Sequence, residues 1–328
     1  MGRKVGDIAI DLLGILRKSP AKYHAIPDIA AKVESRTRIV NDALRGLVVW
    51  GYRFEFDSSS RVRFVSAPDS IFPHEIDHHL KTKFIGRNII SYFSLPSTNT
   101  LAFNLATEGA PEGTIVIAEK QTEGRGRLGR GWFSPPKLGL WTSIILRPTL
   151  PPSELPSLSI VTASALAEAL HASLKLDAEI KWPNDCLIDG LKVAGILTEL
   201  SAELDKANFV VVGVGINVNQ SARDFPPHLR GKATSLKLET GSQVNRLETL
   251  AAFLLAFEKM YVEFKKSGLR PLLPAIKKRS CLLGKNVRLK QGNKTIIAKA
   301  VDISPDGALL VKRRGEVLRV TAGEVTVI

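Results

Sequence analysis

The chain has 328 residues, 44% of them hydrophobic, enough for two or three domains with a proper buried core, and this excludes a disordered or low-complexity protein. Lysine and arginine outnumber aspartate and glutamate by 46 to 32, a formal net charge of +14 that favours polyanionic partners or phosphorylated ligands. Its two cysteines, Cys186 and Cys281, lie far apart with no CxxC pattern, which argues against a disulfide framework and a cysteine-ligated metal and suggests a reducing compartment.

The first ten residues, MGRKVGDIAI, have no continuous apolar core, and no uninterrupted apolar run of about 18 residues follows, so a cytoplasmic protein without a membrane partner is expected. IAIDLLGILRK reads as a helix, IPDIAAKV as a second with Pro27 in its first turn, and SRTRIVNDALRGLVVWGY as a third with Ser35 as its N-cap. In the third, Ile39, Leu44, Leu47 and Val48 can share an apolar face, leaving Arg36, Thr37, Arg38 and Asn41 outside it. YRFEF and RVRFV then flank the turn DSSS. Three helices and a small hairpin outline a winged helix-turn-helix module, whose third helix would enter the DNA major groove.

SAPDSIFPHEIDHHL, residues 66–80, reads as a linker running into a short helix. His74, Glu75 and His78 match H-E-x-x-H, the zinc-protease pattern, but no third-ligand motif follows; the competing reading is an amphipathic helix with Ile76 and Leu80 buried. From about residue 84 to 278, RNIISYF, TIVIAEKQ, LWTSIILRP, AEIKWP, CLIDG, KVAGILTEL and FVVVGVGINVN read as strands. STNTLAFNLATEG, LSIVTASALAEALHASL and RLETLAAFLLAFEKMYVEFKKSG read as helices, giving an α+β domain about one mixed sheet. NVRLKQ, KTIIAKAVDIS, ALLVKRR, EVLRVTA and VTVI are short strands of a terminal β-barrel.

GRGRLGRGW, residues 124–132, contains G-x-G-x-x-G at Gly124, Gly126 and Gly129. A dinucleotide fold needs a helix to start there, and Pro135–Pro136 argue against one; a G-x-x-x-x-G-K-[ST] loop is also missing. Glycines still allow close backbone approach, and Arg125, Arg127 and Arg130 offer planar forks for phosphate or carboxylate oxygens. A plain flexible loop and a nucleic-acid contact remain open. KWPNDCLIDGLKVAGILTEL, 181–200, reads as a compact set of strands and turns that brings Lys181, Asp185 and Lys192 together. There Asp185 would orient a lysine or help hold Mg²⁺, and a lysine would neutralise charge on a phosphoryl group, although turn chemistry alone accounts for Pro183 and Asn184. VVVGVGINVN, 210–219, has Gly213 and Gly215 for close approach and Asn217 and Asn219 at strand period. Ser97–Thr98–Asn99 reads as a helix N-cap that also attracts anions.

In this order these motifs resemble the biotin protein ligases of the bifunctional type that also repress the biotin operon, and the resemblance covers nearly the whole chain. It implies a winged helix-turn-helix domain over 1–66, a mixed-sheet α/β ligase domain of class II synthetase type over 67–278, and an SH3-like domain over 279–328. It implies adenylation of biotin by MgATP, then transfer to a lysine of the biotin carboxyl carrier protein of acetyl-CoA carboxylase, with operator DNA and an adenylate-induced homodimer as further partners. Biotin is then both substrate and corepressor precursor. By resemblance, Lys192, Arg127, Lys181 and Asp185 are catalytic, with Asp185 on Mg²⁺. Ser97, Thr98, Asn99, Gln121, Arg125, Gly126, Arg127, Lys192, Gly195, Gly213 and Gly215 would bind biotin or its adenylate. Arg130, Trp132, Lys181, Asn184 and Asn217 would hold the nucleotide, and Ser35, Arg36, Thr37, Arg38 and Asn41 the DNA. Two departures stand at the N-terminus: Val33–Glu34 replaces a turn that often has glycine, which predicts a different turn, and DSSSR lacks the usual wing glycines. A non-catalytic biotin sensor is an alternative, as is a lipoate ligase, although the RRxSGGG signature is missing.

Overall fold

The computed structural model describes residues 5–203, 206–291 and 294–328. The chain divides into two compact units, Met1–Ser70 and Ile71–Ile328.

The first unit has helices α1 (Val5–Arg17), α2 (Ile26–Lys32) and α3 (Thr37–Val49), then an antiparallel hairpin of β1 (Arg53–Phe56) and β2 (Val62–Ser66). Leu12, Leu13 and Leu16 of α1 meet Ile29, Val33 and the inner face of α3, with Tyr52 and Val62 closing the cluster. That inner face is Val40, Ala43, Leu44 and Leu47, at helical spacing. Ile39 is only partly buried and Val48 is 52% exposed, so the apolar face differs from the one expected.

Helix α2 closes with Ser35 N–H donating to Ala30 O at 2.9 Å and Glu34 N–H to Ala31 O at 3.3 Å, a Schellman motif. Glu34 takes the left-handed conformation that this requires, at φ 51, while β-branched Val33 stays at φ −92 and is buried. The Ser35 N–H serves α2, and the N-cap position of α3 is Arg36, which makes no side-chain cap hydrogen bond; the expected Ser35 cap is displaced by one residue. A left-handed non-glycine residue costs about 1 kcal/mol. Glu34→Gly is therefore expected to slow amide exchange in α2 by about fivefold, read by hydrogen exchange on the full chain; unchanged rates would mean that the turn carries no strain. The β1–β2 turn also lacks glycine. Asp57 Oδ1 accepts the N–H groups of Ser59 and Arg61, both at 2.9 Å, and Ser60 sits at φ 56.

The second unit begins with α4 (Pro73–His79) and runs through β3 (Ile89–Leu95), α5 (Thr98–Thr107), β4 (Ile115–Gln121), β5 (Gly139–Leu146), α6 (Leu158–Leu174), β6 (Glu179–Lys181), β7 (Asp185–Ile188), β8 (Leu191–Glu203) and β9 (Lys206–Asn217). Helices α7 (Leu236–Thr240), α8 (Arg246–Ser267) and α9 (Leu273–Lys278) follow. The sheet order is β3-β4-β5-β9-β8-β7-β6; β3 and β4 pair parallel and the other neighbouring strands antiparallel, so the sheet is mixed, as predicted.

Strand alternation gives this sheet two unlike faces. Leu140, Ile144, Ile196, Val212, Val214 and Ile216 enter the large core with α6 and α8. Val116, Ala118, Ile145 and Val211 point the other way, toward Ala102 and Ala106 of α5. Segment Leu155–Leu174 is long and apolar enough to cross a membrane by composition, but 67% of it is buried in the protein, as in a core helix. Two buried carboxylates brace the frame. Glu119 receives Arg246 Nη1 at 2.6 Å, and Glu258 accepts the backbone N–H groups of Lys83, Phe84 and Ile85 at 2.7–3.0 Å.

Strands β10 (Asn286–Gln291), β11 (Lys294–Ile303), β12 (Leu309–Arg313), β13 (Glu316–Val320) and β14 (Glu324–Val327) form an antiparallel sheet in the order β13-β12-β11-β10-β14. Val287, Leu289, Leu309, Val311 and Val325 belong to the same apolar cluster as the central sheet.

Candidate active site

On the face shared with α5, opposite residues form transverse rows: Asp185, Gly195, Gly215 and Trp141 in one, Leu197, Gly213 and Ser143 in the next. Glycine there leaves a trough in the sheet. A Cβ on Gly213 would overlap Asn99 Oδ1 and lie 2.7 Å from its Cγ; one on Gly215 would overlap Trp132 Nε1; one on Gly195 would come within 2.9 Å of the Trp132 ring and 3.1 Å of Lys192 Cε.

Regular alternation from Gly195 would put Val193 in the trough and Lys192 in the core. A bulge reverses this: Cys186 pairs with Ala194 but Leu187 pairs with Lys192, so Val193 is the extra residue and is fully buried. Lys192 emerges on the trough side, with Nζ 2.7 Å from Asp185 Oδ1 and 5.1 Å from the centre of the Trp132 ring.

At the α5 end, Ser97 caps the helix by accepting Thr100 N–H. Thr98 donates from both N–H (2.8 Å) and Oγ1 (3.0 Å) to Gln121 Oε1, and Gln121 Nε2 donates to Ser134 Oγ at 2.9 Å. Ser143 Oγ lies 2.8 Å from Thr98 Oγ1 and donates to Asn99 Oδ1 at 2.6 Å. Asn99 Nδ2 donates to Glu199 Oε2 at 2.7 Å. Sequence reasoning missed Ser134, Ser143 and Glu199. Ser143 carried a signal, since it follows Gly139 and Trp141 at strand period.

The 124–132 loop is folded onto the trough. Gly126 N–H donates to Arg130 O and Trp132 N–H to Gly124 O, both at 2.7 Å, and the one short helical turn is Arg127–Gly129. Its arginines reach separate anchors: Arg125 to Glu199 at 3.2 Å, Arg127 to Asn184 Oδ1 at 3.0 Å, and Arg130 to Glu324 of the terminal sheet. Burial lowers the Arg127 pKa, against the opposing pull of Asp185 and Glu324. The Lys181–Asn184 turn is tied to the same sheet, because Trp182 Nε1 donates to Gly307 O at 2.8 Å.

Lys192, Asp185, Asn184, Arg127, Trp132, Gly195 and Gly215 thus cluster at one end of the trough, with Arg125, Gln121, Ser97, Thr98, Asn99 and Gly213 at the other. Gly126 shapes the loop. Lys181 is the register partner of Asp185. Asn217 lies beneath, donating to the backbone carbonyls of Lys192 (3.4 Å) and Thr234 (3.0 Å), and Asn219 pairs with the Val244 backbone. Ser35, Arg36, Thr37, Arg38 and Asn41 belong to the other unit. The H-E-x-x-H match is an ordinary helix with Glu75, Ile76 and Leu80 buried. Among the described residues no group of three or more His, Cys, Asp or Glu could hold a metal.

Residues 91–217 match the family described as "Biotin/lipoate A/B protein ligase family", and 282–327 match the "Biotin protein ligase C terminal domain". The chain is 37% identical over 275 residues to a bifunctional ligase/repressor BirA of Bacillus spizizenii, covering 84% of this chain and 85% of that one. The chain belongs to the biotin protein ligase family. A Salmonella typhimurium bifunctional ligase/repressor BirA is 31% identical over 321 residues, 98% of both chains, so the match of this biotin protein ligase extends over nearly its whole sequence. A structure of the Aquifex aeolicus biotin protein ligase in complex with biotin and ATP aligns with a TM-score of 0.64 at 32% identity, covering 74% of this chain and 99% of that one.

Proposed function

We propose that this chain joins biotin to a carrier protein in two steps at the glycine trough. A carboxylate oxygen of biotin attacks the α-phosphorus of ATP, the bond to the bridging oxygen breaks, and pyrophosphate leaves, with biotinyl-5′-AMP retained. A lysine amine of the carrier then attacks the acyl carbon, the anhydride C–O bond breaks, AMP leaves, and the nitrogen loses its proton. Neither step uses an enzyme nucleophile, so positioning and charge stabilisation supply the catalysis. One observation carries the reading: a floor of glycines under an arginine loop, with a lysine–aspartate pair at one end and a polar chain at the other.

In this reading Ser97, Thr98, Gln121 and Arg125 hold the head of biotin, with Gly213 and Gly215 in the wall behind Asn99 and Trp132 and Gly126 letting the loop approach. Lys192 and Arg127 neutralise charge on the acyl phosphate. Lys181, Asn184, Arg130 and Trp132 face the nucleotide, and Asn217 acts by holding the backbone of Lys192. Mg²⁺ bound to ATP would offset charge on the leaving pyrophosphate. Asp185 is the carboxylate that fits it, since Mg²⁺ is usually held by one or two carboxylates together with phosphates. The folded loop excludes water from the labile anhydride.

We also read 1–66 as a winged helix-turn-helix, 67–278 as the catalytic domain and 279–328 as an SH3-like domain, in a cytoplasmic, biotin-responsive repressor that dimerises on binding its adenylate. Arg36, Thr37 and Arg38 favour this, being exposed at the start of α3, with Ser35 and Asn41 beside them. Arg36→Ala and Arg38→Ala are expected to weaken binding to biotin-operon promoter DNA by about tenfold each, with ligation unchanged. Fluorescence anisotropy on that DNA checks this, and normal binding by both variants would remove α3 as the reading head. The ligase reading is tested by incubating the chain with ATP, Mg²⁺, biotin and a carrier domain. The carrier should gain one biotinyl group by mass; biotin binding without mass gain would instead support a non-catalytic sensor.

A further inference from the structure

Glu199 sits on the trough face of β8, at strand period from Gly195 and Leu197, with its side chain 27% exposed. It joins the loop to helix α5 at one end of the trough. Its Oε2 accepts Asn99 Nδ2 at 2.7 Å, and both carboxylate oxygens lie 3.2 Å from Arg125 Nη2. Asn99 is committed on every side. Its amide also donates to Leu197 O at 3.3 Å, its Oδ1 accepts Ser143 Oγ at 2.6 Å, and it is only 4% exposed. With both amide protons held by protein acceptors, Asn99 is a brace between α5 and β8 and has no proton to offer a ligand.

We propose that Glu199 is a positioning residue for biotin: its carboxylate joins the braced Asn99 to Arg125, holding the 124–132 loop against the α5 end of the trough. This rests on the biotin reading of the site. An amide at position 199 would keep an acceptor for Asn99 and preserve the brace, but would have no charge to attract the guanidinium. The Arg125 side chain is 47% exposed, and such a pair is weak in isolation. Its leverage comes from the loop, because each release of Arg125 removes a wall of the pocket. The effect falls on ligand retention more than on chemistry, which separates it from the role given to Lys192.

Glu199→Gln is expected to raise the KM for biotin about tenfold and to speed release of bound biotinyl-5′-AMP by a similar factor, with kcat within about twofold. A merely structural role would lower thermal stability and leave the KM where it is. Arg125→Gln breaks the same pair from the exposed loop, where it does not threaten folding. If the two residues act together, adding Glu199→Gln to Arg125→Gln produces no further rise in KM; full multiplication of the two effects overturns the proposal. So does a Glu199→Gln enzyme with the parent's KM and adenylate release rate. If the parent itself releases no pyrophosphate in response to biotin, the biotin reading fails and this inference falls with it; a biotin-responsive parent with an unaffected variant sinks this inference alone.

Discussion

Lys192→Ala is expected to slow biotin-dependent pyrophosphate release by about 10²- to 10³-fold, the usual cost of removing one preorganised charge from a developing anion. The loss has separable parts. The ammonium lies 2.7 Å from Asp185 and 5.1 Å from the centre of the Trp132 ring, so its removal leaves the carboxylate without its partner and the indole without its cation. A negative charge at Asp185 then faces the incoming phosphates uncompensated. Lys192→Arg should recover little, because a planar guanidinium cannot reproduce a compact ammonium seated between a carboxylate and a ring face. Pyrophosphate release at saturating ATP checks both variants, and full activity in Lys192→Ala would remove the residue from the chemistry.

The second large effect is expected from Gly213→Ala. The added methyl would overlap Asn99 Oδ1 and lie 2.7 Å from Asn99 Cγ. Asn99 cannot step aside, since Ser143, Leu197 and Glu199 hold its polar ends. Overpacking of this kind costs about 1–3 kcal/mol, so the KM for biotin should rise about 10- to 100-fold. The KM for ATP should move far less, because the clash lies at the α5 end of the trough. Equal increases for both substrates would show that the sheet itself had been distorted.

Much of the fold was legible from periodicity and punctuation. The alternating apolar runs of the central region mark its strands, and Gly, Pro and Asn mark their ends, because these residues have few other uses at such positions. The failures at the N-terminus share one cause. Ser35 looks like a helix cap on composition, but its N–H completes the turn that ends α2, a contact invisible to a reading that treats each helix alone. In the same way Val48 fits an apolar stripe, yet whether a stripe residue is covered depends on what packs against it.

At the site, glycines and charges were legible because they are costly where they serve no purpose. Glu199 and Ser134 were not, since their importance lies in partners more than ten residues away, and Ser143 showed only its strand period. Asn217 and Asn219 show the converse. Both stand out in the apolar run 210–219, but the Asn217 Nδ2 donates to backbone carbonyls and Asn219 pairs with the Val244 backbone. A polar residue at strand period identifies the face and not the partner.

Lys192 and Gly195 are separated by an odd number of positions, and in a regular strand odd separations fall on opposite sides. That they meet on one side depends on the surplus residue at Val193. The spacing is therefore a parity rule. Deleting Val193 would leave lysine and glycine an even number apart, on the same side of a strand that no longer needs its bulge. Adding a residue beside it would also make the separation even, so the lysine would keep its side in a regular strand and turn toward the apolar interior only if the bulge persisted. For a designer grafting this hairpin, the count between the charged residue and the glycine matters as much as the letters themselves.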